Sequence, residues 1–129
     1  MELQGISAVT GERLTRADQA NRETPVASER PIPQAALRYA TEVEILRVWI
    51  AEKKLHCSLK VGMYRETTNV PEERAWGTIL ADAARHVANA LESGYGANAT
   101  ESLRMIRDAF NKEIEAPTSI AEGDFSKRH

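Results

Sequence analysis

The stretch from Val43 to Val61, VEILRVWIAEKKLHCSLKV, constrains this chain more than any other, because it reads as two short strands folded back on each other about a charged turn. With Glu52 and Lys53 at the centre of the turn, Ile50 faces Leu55, Val48 faces Cys57 and Leu46 faces Leu59, so one whole face becomes apolar. A slip of one residue in either strand sets apolar side chains against polar ones along the ladder, and the pattern therefore specifies this register. The turn lacks the Asn-Gly or Asp-Gly of a tight hairpin, so a two-residue loop and a four-residue loop from Ala51 to Lys54 both satisfy it.

The opposite face is mixed. It carries Ile45, Arg47 and Trp49 from the first strand, with His56, Ser58 and Lys60 from the second. Aromatic residues make up only 5% of the chain, so the position of each Trp is informative. Trp49 opposite His56, with Arg47 and Ser58 next along, concentrates binding-type chemistry in one place. These six residues form the candidate ligand or interface site.

The flanking sequence supplies the rest of an α+β domain. Residues 1–33 are polar and punctuated by Gly5, Gly11, Pro25, Pro31 and Pro33, which predicts a flexible N-terminal arm. Thr10 to Glu23 has a helix-compatible composition, but Leu14 and a few alanines make a thin apolar stripe, too little to hold a helix alone in water. Gln34 to Ala40 is expected to form a short helix or turn after Pro33. Gly62 ends the second strand, and Met63 to Val70 reads equally as a third strand or a loop.

A helix then opens around Pro71, Glu72 and Glu73, carries Trp76, Ile79, Leu80, Ala83, Val87 and Leu91 at helical spacing, and is expected to stop at Gly94. Asn98 followed by Glu101 fits a capping box. The second helix carries Leu103, Ile106, Phe110 and Ile114 and ends before Pro117. Two helices joined by a short Gly-containing loop should pack antiparallel. The expected architecture is thus a β-hairpin, extended by a third strand or across a dimer, covered on one face by two antiparallel helices. Residues 34–116 make the domain and residues 117–129 a flexible C-terminal tail.

The runs EVEILRVWI, LHCSLKVG and AWGTILADAARHVANAL, followed by the second helix, resemble a small bacterial family described as domain of unknown function 5076. The resemblance spans roughly Pro33 to Pro117 and rests on the order of the elements and on the VWI and AWG signatures. The family's hairpin turn usually carries Gly, where this chain has Glu52, Lys53 and Lys54. The family has no assigned activity, so it lends this chain no functional residues.

Charge and cysteine usage narrow the classes further. The 17 basic and 19 acidic side chains are interspersed and leave a net charge of −2, which argues against strong non-specific attraction to nucleic acid or an anionic membrane. Cys57 is the single cysteine, so an intramolecular disulfide and a Cys-pair zinc site are excluded. No segment approaches the roughly 18 apolar residues of a membrane span, and the expectation is a cytoplasmic, bacterial-type protein.

Catalytic readings are thin. Asp82 and His86 lie four apart on a helix, a spacing that two metal ligands could share, but no third ligand accompanies them. Ser58 and His56 share a strand face without a nucleophile elbow or oxyanion hole. The glycines of SGYGANAT belong to a helix connection and not to a phosphate loop, and Asn98 is a cap before it is an anion site. Stacking of RNA on the Trp49 face would rest on one aromatic and two strands. Neither a cofactor nor a metal is expected. A two-stranded hairpin is marginal by itself, so pairing with a second copy through the hairpin edge or the mixed face is the expected addition. The function this predicts is a non-catalytic, homodimeric interaction or scaffold module, open to a protein partner, with a small-ligand-binding domain built on Trp49 and His56 as the alternative.

Overall fold

A computed structural model of the chain describes residues 28–127. The expectations for residues 1–27 therefore lie outside the described residues. The elements are α1 (Gln34–Leu37), β1 (Leu46–Ala51), β2 (Lys54–Lys60), α2 (Met63–Thr67), α3 (Glu72–Tyr95), α4 (Ala99–Glu115) and β3 (Ala121–Ser126).

The hairpin has the register that the alternation predicts: Leu46 pairs with Leu59, Val48 with Cys57 and Ile50 with Leu55. Ala51 pairs with Lys54, so the loop is the two-residue form. Glu52 and Lys53 both take positive φ, 53° and 62°, the mark of a type I′ turn, whose twist matches that of the strands it joins. Neither side chain favours that region, which costs an L-residue on the order of 1–2 kcal/mol. Strand pairing overrides the local preference. Replacing Glu52-Lys53 by Asn-Gly is expected to raise stability by about 1 kcal/mol, read as a higher urea midpoint with an unchanged m value.

Two segments differ from expectation. Met63 to Val70 contributes neither a strand nor a plain loop: its first five residues form α2. The reason lies ten residues further on, where the Glu72 carboxylate accepts the backbone N–H groups of Gly62 (3.0 Å), Tyr64 (3.0 Å) and Arg65 (2.9 Å) and so caps a helix too short to stand alone. The other is the C-terminal segment read as a flexible tail. Residues 121–126 form β3, paired with β2 in parallel, which places Leu55 beside Ala121, His56 beside Glu122 and Leu59 beside Phe125. The long helical connection returns the chain to the same end of the sheet, as a parallel partner requires. The result is a mixed sheet in the order β1-β2-β3 with β2 at its centre.

The two long helices pack against each other through a short connection. Gly96, at φ 71°, ends α3 in an αL cap, with its N–H on the Glu92 carbonyl (3.0 Å), and the N–H of Ala97 reaches the Leu91 carbonyl (3.3 Å). Gly94, where the stop was expected, lies inside the helix. Asn98 caps α4 as read, its Oδ1 accepting from the N–H of Glu101 at 2.9 Å. The return half of a capping box is absent, because the Glu101 carboxylate is held by Arg104. At the far end of α4 the Thr118 hydroxyl and N–H bond to Glu113 (2.6 and 3.1 Å). That carboxyl is held down to about 2, with the Thr118 hydroxyl as the leading cause.

Burial is sparse. Among the described residues only Ala75 (7% exposed) and Ala88 (2%) are buried, both on α3. Trp76, Ile79, Leu91, Leu103 and Ile106 are half-buried. On the apolar face of the hairpin Leu46, Leu55, Cys57 and Leu59 are half-buried, while Val48 and Ile50 stay exposed, so the cover over that face is incomplete.

Candidate functional site

The register of β1 on β2 assembles the mixed face from the backbone upward. Trp49 stands directly opposite His56, and Arg47 opposite Ser58. Trp49, His56 and Arg47 are half-buried and Ser58 is exposed. Ile45 precedes β1, and its carbonyl accepts from the N–H of Lys60 at 3.0 Å, so both of these residues sit at the end of the ladder.

β3 adds residues that the sequence reading did not place. Glu122 and Asp124 are the parallel partners of His56 and Ser58 and so lie on the same face. Glu122 accepts from the Lys54 ammonium at 3.2 Å. Arg47 is clamped by Glu44, whose two oxygens take its Nε and Nη2 at 3.0 Å each, and its Nη1 reaches Glu29. The bidentate Glu44 bond, followed by its charge, raises the Arg47 pKa above the ordinary guanidinium value. Arg47 and Lys54 are thus both occupied by carboxylates of this chain. That removes the charge a nucleic-acid platform would use. One atom here lacks a partner: His56 Nε2 is buried and accepts or donates no hydrogen bond among the described residues. An imidazole nitrogen in that state is a cost to the fold.

The catalytic alternatives find no geometry. Ser58 and His56 share no hydrogen bond, and Asp82 turns to Arg85 at 2.7 Å. Among the described residues no group of three or more His, Cys, Asp or Glu side chains could hold a metal. The start of α4 is closed by its own chain, since the N–H of Ala99 bonds to Glu92 at 3.1 Å beside the Asn98 cap.

A second concavity lies away from the sheet. Between α3 and α4 runs a groove of about 680 Å³, walled by Leu80, Leu103, Ile106 and Phe110 and floored partly by Gly77 and Ala81. Helical spacing places Leu80 and Phe110 on the apolar stripes of their helices, which predicts core positions. Both are exposed. The helical spacing that identified them shows which residues share a face and not whether one chain can cover it.

The fold and these two surfaces define a small α+β domain with a mixed three-stranded sheet and no helix, among the described residues, long and apolar enough to cross a membrane. The family model for a domain of unknown function (DUF5076) matches residues 29–118, well over half of the chain. The protein belongs to that family. Among solved structures, a chain described as a "putative pyruvate dehydrogenase" from the photosynthetic bacterium Rhodopseudomonas palustrus CGA009 is similar at 22% identity and a TM-score of 0.54. The match covers 82% of this chain and 99% of that one, and at this identity it speaks to the fold alone. No curated protein matches the chain.

Proposed function

We propose that this protein is a cytoplasmic, non-catalytic interaction module that works as a homodimer. One observation carries the reading: among the described residues the two buried side chains are both alanines, while Val48, Ile50, Leu80, Val87 and Phe110 are exposed. Large aliphatic and aromatic side chains normally supply the buried core, each contributing about 1.5–3 kcal/mol when fully covered. A domain of this size that leaves them in water lacks its main source of stability, and a second copy is the simplest cover. Light scattering at micromolar concentration is expected to give twice the chain mass. A monomer mass that does not change with concentration would overturn the reading.

The second reading is a small-ligand site at Trp49 and His56. It is favoured by the unpartnered His56 Nε2, which a polar ligand atom could satisfy. Native mass spectrometry of the purified protein that shows one small molecule bound per chain, lost in His56→Ala, would move the assignment there.

A further inference from the structure

We infer that the second copy docks on the groove between α3 and α4, so that two helical pairs close into a four-helix bundle; this rests on the homodimer reading and names its surface. The groove is apolar and is walled by side chains that the single chain leaves uncovered, with Leu80 39% and Phe110 49% exposed. Its floor is low. Gly77, Ala81 and Ala84 recur along one side of α3, and a Cβ added at Gly77 would meet nothing within 4 Å, so there is room for an inserted side chain.

The rim decides between occupants. Arg85 pairs with Asp82 at 2.7 Å, and Arg104 lies between Glu101 and Asp108, with Arg107 also beside Asp108 at 3.5 Å. Of these charges Arg85, Arg104, Arg107 and Glu101 line the groove, while Asp82 and Asp108 lie outside its lining and pair with those arginines; each arginine thus already has a carboxylate of its own chain, so the rim does not repel its own copy. The dimensions fit as well. Helices of 24 and 17 residues run about 36 and 25 Å at 1.5 Å per residue. Two cylinders about 10 Å wide side by side then present a face on the order of 500 Å² in projection, and more once their curvature is counted. That approaches the roughly 800 Å² per partner of a stable dimer.

The sheet edges serve less well. The outer edge of β1 lies near residues 28–33, where Glu29 holds Arg47. Across a two-fold axis, β3 would bring Glu122 and Asp124 towards their own copies.

The test compares variants of the full chain by sedimentation equilibrium, with far-UV circular dichroism to confirm retained helix. Leu80→Glu and Phe110→Glu are each expected to weaken dimerisation by at least about thirty-fold. Phe125→Glu, at a 70% exposed position on β3, is expected to leave it unchanged. If the two helix variants dimerise like the wild type and Phe125→Glu does not, the surface is wrong although the dimer stands. A monomeric wild type defeats both. A measurement that needs no disruption is labelling of Leu80→Cys, in a Cys57→Ser background, with a soluble maleimide. The thiol is expected to react about tenfold more slowly above the dimer dissociation constant than below it, and equal rates would overturn the proposal.

Discussion

Replacing Gly123 by alanine is expected to free β3 from the sheet. Gly123 sits at φ 139°, a region essentially reserved for glycine, which costs other residues about 1–3 kcal/mol. The larger obstacle is contact. An added Cβ would overlap the Cys57 carbonyl oxygen and lie 2.7 and 2.8 Å from the Cys57 carbonyl carbon and amide nitrogen. Those atoms belong to the backbone of the central strand, which cannot retreat without breaking the pairing of Cys57 with Val48 on the other side. β3 must therefore leave. The expected signature is loss of amide-exchange protection over residues 121–126 with the hairpin amides still protected, and a stability loss of at least about 2 kcal/mol. Wild-type protection in Gly123→Ala would show that the strand does not depend on this close approach.

Substitution of Glu72 by Gln is expected to melt α2 and to remove one source of the domain's acid sensitivity, the other lowered carboxyls being those of Glu101 and Glu113. Partial burial pushes the Glu72 carboxyl up, but the N–H groups of Arg65, Gly62 and Tyr64 and the Trp76 indole at 2.9 Å together outweigh it and hold the pKa below the ordinary 4.5. A carboxyl lowered by folding adds stability that is fully present above its unfolded pKa and is lost as pH falls through the folded value. The wild type should therefore lose thermal stability below about pH 4.5, while Glu72→Gln, already lacking the charge, should change less. The two thermal-midpoint curves are expected to lie apart at neutral pH and to converge in acid. Curves that stay parallel from roughly pH 7 to pH 3 would contradict this assignment. Trp76 provides a second readout, because its indole loses an anionic acceptor and its emission should shift.

These two residues also mark where sequence reading stops. The hairpin was legible because its information is local: alternation in both strands fixes Val48 against Cys57 and Trp49 against His56 before any tertiary contact is known. The cap at Asn98 and the apolar stripes of α3 and α4 were legible for the same reason. α2 was not, because its stabilising group, the Glu72 carboxylate, belongs to the next helix. β3 was not, because Ala-Glu-Gly-Asp-Phe-Ser has weak strand propensity and its fit depends on a glycine against a backbone some sixty-six residues earlier in the chain. The mixed face was predicted with its correct pairs. The carboxylates that occupy Arg47 and Lys54 come from Glu29, Glu44 and Glu122, and of these Glu29 and Glu122 come from segments read as unstructured.

The order of the sheet has a kinetic consequence. β1 and β2 meet across a two-residue turn, a closure expected within microseconds, whereas pairing β3 with β2 must close a loop that spans both long helices. The sheet is therefore expected to be completed last. Until then β2 offers a bare edge along Leu55 to Lys60, shaped to accept a parallel strand from any chain that carries one. At high concentration during refolding, the β3 of a neighbour competes for that edge, and strand-exchanged oligomers are the expected by-product. Slow dilution from denaturant should suppress them, because it favours closure within one chain over encounter between two.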